Sequence, residues 1–220
     1  MLHAKESEGS GPEQQPATPS KAVVKVPTTK AGYIAHMMLN EAVFPGEDGY
    51  VSEENTKAAM LAMLWVCHGR IHHVPPHYTQ VEIAATTSRD IIDIITAGGE
   101  KGQVDGFYRD KTGAFKMIPR VHRRVKGLVE LANRGTPGRF TRILVYAQGL
   151  ADAYVSEGIK GADRFAGLKV IGGVKVTGRA YSWMTDEDYY NPGGSFIRIP
   201  NSLEGSLGGN RFFTLKELKR

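Results

Sequence analysis

Residues 33–70 decide the fold of this chain, and they read YIAHMMLNEAVFPGEDGYVSEENTKAAMLAMLWVCHGR. Up to Glu41, large apolar side chains recur at helical spacing, and from Thr56 to Arg70 the stretch is apolar on nearly all sides. A helix that is apolar on nearly all sides is buried over most of its surface, because it has no polar face to turn to water. Between them, Pro45-Gly46 interrupts the helical pattern. The stretch therefore predicts two packed helices at the centre of the protein.

Glu41 is a carboxylate that continues the apolar side of the first predicted helix. It follows Met37 and Met38 by four and three residues, so helical spacing places it on the face that turns toward the core. Removal from water raises the pKa of a carboxyl group, and a general acid that works near neutral pH needs this property. In the alternative interpretation Glu41 simply ends the helix and faces solvent, since ionised carboxylates are rarely buried without a partner or a role.

The composition is that of an ordinary soluble globular protein. The chain has 220 residues, of which 41% are hydrophobic and 23% charged, and this length predicts one large domain. No apolar run approaches the roughly 18 residues that a membrane span requires, so we expect no integral membrane segment. Residues 1–20 lack the apolar core of a secretory signal peptide, and the single Cys67 excludes a disulfide framework. We therefore expect synthesis in the cytoplasm without a signal peptide.

The chain has three regions that differ in amino-acid composition and pattern. Residues 1–27 are rich in Gly, Ser, Pro, Gln and Glu, which predicts a disordered leader. Residues 28–220 predict a single domain that is mainly α within the α+β class, with one small β-hairpin between 107 and 118. From Gly158 onward glycines and aromatic residues are dense. This last region predicts a wrap around the helical body, because it has too few contiguous apolar residues for a core of its own.

The net charge of +5 and a pI near 9.2 indicate an anionic partner, either nucleic acid or an anionic cell-wall polymer. Basic residues concentrate between Arg120 and Arg142, where they alternate with apolar residues at helical spacing and have Phe140 as their one nearby aromatic. Solvated helix faces are the simpler interpretation. A non-enzymatic helical protein that binds nucleic acid through this segment is the alternative function, and it predicts steep salt dependence and indifference to Glu41.

Four histidines, His68, His72, His73 and His77, fall within ten residues. The first two would share a helix face if the helix continued past Gly69, but no Cys or carboxylate follows at a spacing typical of zinc ligands. A solvent-facing His-rich loop is therefore preferred over a metal site. Loop carboxylates elsewhere lack the spacing of an EF-hand, and no glycine-rich phosphate-binding motif occurs. We accordingly predict no metal and no cofactor.

Several short motifs follow one another in a characteristic order. They are Glu41-Ala42, Gly46-Glu47, the alanine-rich segment 58–66 closing in Arg70, the helix 90–97 leading to Gly102-Gln103, the helix 143–153 and the segment 209–213. Over most of residues 31–215 this order resembles the lysozyme-like cell-wall hydrolases of the spore-cortex-lytic type. In that family a phenylalanine directly follows the glutamine, whereas here Phe107 is displaced by an insertion and the C-terminal region is longer.

The resemblance implies a mainly helical lysozyme-like fold and cleavage of the β-1,4 linkage between N-acetylmuramic acid and N-acetylglucosamine in peptidoglycan. It implies Glu41 as general acid and Glu47 as the second catalytic carboxylate, with Asp48 and Asp105 as other candidates for the second role. Members of the transglycosylase kind work with one carboxylate, because the muramic-acid 6-hydroxyl attacks in place of water. Hydrolysis and lytic transglycosylation therefore both stay open.

The expected sugar-binding residues come from the middle and the end of the chain. Gln103 would hydrogen-bond an acetamido group, and four aromatic rings, those of Phe107, Tyr108, Tyr189 and Tyr190, would form flat apolar walls.

The predicted leader and the lack of a signal peptide also resemble the peptidoglycan-cleaving antibacterial toxins that type VI secretion injects into a target cell; phage lysis proteins are a second route. The resemblance thus implies peptidoglycan as partner, with no nucleic acid. Action would take place in the periplasm or cell wall, and a cognate immunity protein would protect the producing cell.

Overall fold

The two helices predicted from residues 33–70 pack at the centre of the fold. Helix α1 (Lys30–Glu41) begins where the Thr29 hydroxyl accepts a hydrogen bond from the Gly32 N–H at 3.1 Å, which satisfies one of the free N–H groups of its first turn. Helix α2 (Glu53–His72) begins in the same way at Ser52. It continues to His72, past the end that we predicted near Gly69, because a single glycine weakens a helix without ending it.

A computed structural model describes residues 21–185 and 193–219 of the chain. It is an α+β fold with 43% helix and 17% strand, so helix predominates as the sequence predicts. After α1 and α2 the elements are α3 (Gln80–Ala84), α4 (Ile91–Thr96), β1 (Phe107–Arg109), β2 (Phe115–Met117), α5 (Pro119–Ala132), α6 (Arg139–Glu157), β3 (Val170–Ile171), β4 (Val174–Thr185), β5 (Phe196–Arg198), β6 (Ser206–Leu207) and β7 (Asn210–Lys216), with 3₁₀ turns at Gly99–Lys101 and Asn201–Leu203.

The helical half agrees closely with the expectations from the sequence. Strands β1 and β2 form the predicted antiparallel hairpin. The sequence pattern favours two further helices at about 119–133 and 138–156, and α5 and α6 begin and end within one residue of these bounds. Helix α4 is capped by Asp90, whose side chain accepts a hydrogen bond from the Ile92 N–H at 2.9 Å, although the sequence pattern favours Thr87 or Ser88 as the cap. Short helix α3 was not foreseen. Within the described residues, no helix has the length and apolar character needed to cross a bilayer.

The C-terminal region, which the sequence predicts as a wrap around the helical body, forms an antiparallel sheet. Its strands are all paired antiparallel, in the order β3-β4-β7-β5, with β6 also pairing with β7. The sheet packs on α2, where the Tyr181 hydroxyl donates to the His73 carbonyl at 2.6 Å. Several of its strands have only two or three residues, too few to leave a clear alternating pattern in the sequence.

The turn between β6 and β7 holds the sheet against the end of α1. Gly208 and Gly209 both have positive φ, as expected for the predicted tight turn. A Cβ on Gly209 would lie 2.5 Å from the side chain of Val43, and one on Gly208 would lie 3.0 Å from Ala59. Only glycine allows this close approach, and the turn therefore brings the first residue of β7 next to Glu41.

Candidate active site

A cleft of about 920 Å³ lies at the C-terminal end of α1. Helix α1 contributes Asn40 and Glu41, the end of β4 contributes residues 183–185, and residues 102–105 form a further wall. Along its length α5 lines the remaining side, from Arg120 to Leu131. Both acidic and basic side chains thus share one open cavity with apolar ones, as is typical of a site for a polar ligand with flat apolar faces.

Glu41 is half-buried and its carboxylate faces this cleft. One oxygen accepts a hydrogen bond from the Asn40 amide at 2.9 Å, and the other accepts from the Trp183 indole N–H at 3.2 Å. Burial and the negative charge of Asp105 both raise the pKa of Glu41, whereas the two hydrogen bonds lower it. Burial is the largest of these effects, so the pKa is raised overall. Glu41 therefore lies at the cleft and not on the outer surface, and it keeps its proton to a higher pH than an ordinary glutamate.

The backbone of Glu41 is fixed by Asn210, the first residue of β7. The Asn210 side-chain amide donates to the Glu41 carbonyl at 2.9 Å and to the Gly208 carbonyl at 3.0 Å, and the residue is only 1% exposed. One of the carbonyls left free at the end of α1 thereby gains a partner. The sheet thus sets the position of the acid, a role that the sequence analysis did not assign to Asn210 although it lies within segment 209–213.

Glu47 lies in the cleft wall but is bound on both oxygens. The Arg124 guanidinium holds it in a two-point contact, with Nη2 to Oε2 at 2.8 Å, and the Phe44 N–H donates to Oε2 at 2.8 Å. Burial alone would raise the pKa of Glu47, but these hydrogen bonds outweigh burial and lower it. Arg124 also donates to the Ala42 carbonyl at 2.9 Å. Glu47 is therefore an ionised group that ties the loop after α1 to α5, and this geometry does not favour the predicted catalytic role.

We expect Glu47→Gln to lower the free energy of unfolding by about 1 kcal/mol at neutral pH, a modest value because solvent reaches the ion pair and weakens it. A lowered native pKa stabilises the fold above the ordinary glutamate pKa, and this contribution disappears as the pH falls through the native value. The difference between wild type and variant in urea unfolding should therefore be constant near neutrality and shrink below about pH 4. A difference that grows on acidification would contradict this role.

Arg70 is a buried residue, only 3% exposed, that contacts two residues of the cleft lining. Its guanidinium donates hydrogen bonds to the Gln103 side-chain oxygen and to the Tyr181 carbonyl, both at 2.8 Å. It also lies 5.9 Å from the centroid of the Trp183 ring. Because the oxygen of Gln103 is engaged, its amide N–H groups are the ones that can meet a ligand in the cleft. Gln103 thus lines the cleft, and its contact with an acetamido group stays a prediction.

The predicted aromatic walls need correction. Phe107 is fully buried, with its ring edge-on to Tyr33 at 5.3 Å, so it belongs to the core and cannot contact a sugar. Tyr108 is not among the described residues that line the cleft. Tyr189 and Tyr190 lie outside the residues that the structure describes. Among the described residues, the aromatic ring that lines the cleft is that of Trp183, which lies in the aromatic-rich region after Gly158 and was assigned no role from the sequence.

The histidines lie near the end of α2, away from the residues that line the cleft. The rings of His68 and His72 are 4.3 Å apart, and burial together with neighbouring positive charges lowers the pKa of His68 to about 4. In the part of the chain that the structure describes, no group of three or more His, Cys, Asp or Glu side chains is placed to hold a metal ion. The helix itself, and not a loop, carries His68 and His72.

Comparisons with protein-family models, with curated proteins and with solved structures find no match to this chain. The chemistry of the cleft is therefore the basis for assigning a function.

Proposed function

We propose that this protein is a lysozyme-like glycosidase that cleaves the β-1,4 linkage between N-acetylmuramic acid and N-acetylglucosamine in peptidoglycan. One observation carries the proposal. Glu41, a carboxyl group with a raised pKa, faces an open cleft of about 920 Å³ beside an indole ring. Cleavage of a glycosidic bond needs a proton on the leaving oxygen, and Glu41 keeps its proton to a higher pH than an ordinary glutamate does.

The hydrogen bonds around Glu41 fit a group that gives its proton away during the reaction. The amide of Asn40 and the indole N–H of Trp183 both donate to the carboxyl oxygens. Such donors favour the ionised form, which is the form that Glu41 takes after it protonates the leaving oxygen. Burial favours the protonated form beforehand. Opposing effects of this kind keep the pKa of a general acid within a useful range.

Asp105 is our candidate for the second carboxylate. It lines the same cleft as Glu41, and its negative charge contributes to the raised pKa of Glu41. Its partner is the exposed Arg120, at 2.6 Å, whereas Glu47 is fixed by Arg124 on both oxygens. An exposed ion pair contributes little to stability and exchanges readily, so Asp105 can stabilise a positively charged sugar or assist an attacking water. This assignment replaces Glu47 in the second role.

The rest of the cleft offers contacts for a glycan. The amide N–H groups of Gln103 can donate to the carbonyl of an acetamido group, and the indole of Trp183 offers an apolar face to a sugar ring. Through the resemblance alone, the proposal extends to an antibacterial toxin of the type VI secretion class. Such a protein acts in the periplasm or cell wall of a target cell, and a cognate immunity protein guards the producing cell.

The alternative of nucleic-acid binding through residues 120–142 draws support from the basic residues of α5 that line the cleft. Two of the arginines that this hypothesis requires are already engaged in ion pairs, Arg124 with Glu47 and Arg142 with Glu53 at 2.7 Å. Engaged guanidinium groups contribute less to phosphate binding, because the existing contact must first be broken.

Digestion of purified peptidoglycan tests the proposal. We expect the wild-type protein to release soluble muropeptides between about pH 5 and pH 7, and mass spectrometry of their ends distinguishes hydrolysis (reducing ends) from transglycosylation (anhydro ends). A parallel titration with single- and double-stranded DNA at several salt concentrations measures the alternative. Folded protein that releases nothing over this pH range, and that binds DNA with strong salt dependence, would contradict the glycosidase proposal.

A further inference from the structure

One face of α5 forms a continuous wall of the cleft. Arg123, Gly127 and Leu131 are spaced by four residues and all line it, so they lie along about 12 Å of helix on one side. We call these three residues the α5 wall. Arg120, one turn before the wall, pairs with Asp105, whose charge acts on Glu41. The α5 wall thus begins near the Asp105 side of the cleft and extends away from Glu41.

Arg123 differs from its two arginine neighbours in having no partner among the described residues. Arg120 is bound to Asp105 and Arg124 to Glu47, whereas the exposed Arg123 makes no hydrogen bond or ion pair with any part of the chain that the structure describes. A guanidinium group presents a planar fork of N–H donors that matches a carboxylate at two points. Arg123 is therefore a positive group in the cleft that is available to an anionic ligand.

Among the described residues, nothing requires glycine at position 127. Gly127 lies in the middle of α5, where glycine is less favourable than alanine, its φ is not positive, and a Cβ built on it meets no described atom within 4 Å. Neither backbone conformation nor packing excludes a side chain, and the space that a Cβ would occupy is space of the cleft. Glycine here leaves room for a ligand to approach the helix backbone closely.

Leu131 completes the wall with an apolar group. It is 46% exposed, and the exposed part faces the same cleft as Arg123. From the end near Glu41, a ligand therefore meets a positive charge, then a smooth stretch of backbone, then an apolar side chain. This order suits a short chain that carries carboxylates together with small apolar groups, and it does not suit an uncharged glycan alone.

We propose that the α5 wall binds the acidic peptide that is attached to muramic acid in peptidoglycan. The inference rests on the proposed function, because it assumes that Glu41 acts on the glycan to which this peptide is joined. Stem peptides carry free carboxylates, which match the charge of Arg123, and the small methyl groups of alanine, which fit the space that glycine leaves open at position 127. The wall would thus select glycan strands that bear peptide over bare strands.

Binding of an N-acetylmuramyl peptide with free carboxylates tests this directly. It is measured by calorimetry on the full chain with the Glu41→Gln substitution, at low salt, and the probe with its carboxyl groups amidated serves as reference. We expect Arg123→Ala to weaken binding of the free acid about tenfold, as for loss of one two-point contact to a carboxylate, and Arg123→Lys to restore part of it. Neither change should affect the amidated probe.

A glycine outside the cleft supplies the matched control. Gly149 of α6 is exposed, and a Cβ there also meets no atom of the described residues within 4 Å. Both Gly127→Ala and Gly149→Ala should raise the unfolding temperature, by about 2 to 4 °C. Only Gly127→Ala should weaken binding of the muramyl peptide, about tenfold or more, because the added methyl group occupies the ligand's space.

The proposal would be overturned if Gly127→Ala binds the muramyl peptide as tightly as Gly149→Ala does and Arg123→Ala shows no loss of binding. It would also be overturned if an oligonucleotide binds in place of the peptide. Cleavage assays distinguish a failure of the peptide site from a failure of the glycosidase proposal. If wild-type protein cleaves bare and peptide-bearing glycan equally well, the glycosidase survives and the peptide site fails. If it binds the muramyl peptide but cleaves neither substrate, the site survives and the glycosidase fails.

Discussion

Glu41→Gln should lower kcat/KM on peptidoglycan by about 10² to 10⁴-fold, the range over which a positioned general acid contributes. The amide has nearly the same shape as the carboxyl group but cannot protonate the leaving oxygen. Release of muropeptides by wild type and variant, at matched concentrations and between about pH 5 and pH 7, measures the ratio. Far-ultraviolet circular dichroism and the unfolding temperature establish that the variant keeps its fold.

Glu130→Gln is the matched control for this substitution. Glu130 lies on the exposed side of α5, outside the cleft lining, and its one ion-pair contact with a described residue is a long one, 3.9 Å to Lys126. The control should retain full activity, so a loss confined to Glu41→Gln identifies the position and not the loss of one negative charge. If Glu41→Gln keeps more than about a tenth of the wild-type rate, Glu41 is not the acid.

The raised pKa of Glu41 also predicts that both the rate and the stability of the wild-type protein fall as the pH rises. Only the protonated form is active, so the rate should fall as the pH rises through a value above that of an ordinary glutamate. A raised native pKa stabilises the fold at low pH, and this contribution is lost as the pH rises through the native value. Wild type should therefore lose stability relative to Glu41→Gln between acidic and neutral pH, when both are compared by thermal unfolding.

The features that could be predicted from sequence are the local ones. The buried body of α2 and the hairpin β1–β2 each depend on residues within a few positions of one another, where residue spacing is informative. The placement of Glu41 toward the interior follows from the same helical spacing.

The groups that surround Glu41 could not be predicted, because they come from distant parts of the chain. Trp183 is 142 residues away along the chain and Asn210 is 169. Their approach depends on the pairing of β4 with β7, two strands that are distant in sequence, and on a glycine turn that fits against Val43. Nothing in local spacing distinguishes an indole that binds a carboxylate from one in the core.

The choice between Glu47 and Asp105 for the second catalytic role could not be made from the sequence for the same reason. Glu47 is close to Glu41 in sequence, and sequence proximity favoured it; the structure instead pairs it with Arg124, which is 77 residues away. Asp105 is far from Glu41 in sequence but lines the same cleft. Electrostatic partners of this kind are decided by tertiary packing, so the choice between them required the folded chain.

Asp105→Asn should therefore have the second large effect. If Asp105 stabilises the sugar cation or activates water, we expect hydrolysis to fall by about 10²-fold or more. Removing its charge should also lower the pKa of Glu41, because the negative charge of Asp105 now raises it. The fall of the rate on the alkaline side should then occur at lower pH in the variant than in the wild type, as measured by full pH–rate profiles.

Two further variants separate the charge of Asp105 from its ion pair. Arg120→Ala breaks the contact at 2.6 Å but leaves the carboxylate in place, so it should keep most of the activity on the bare glycan. Asp48→Asn removes an exposed charge beside Glu47 that does not line the cleft, and it should leave the pH profile unchanged. If Asp105→Asn shifts the pH profile without a large loss of rate, one carboxylate suffices for the chemistry. The 6-hydroxyl of muramic acid would then be the nucleophile, and the products should carry anhydro ends.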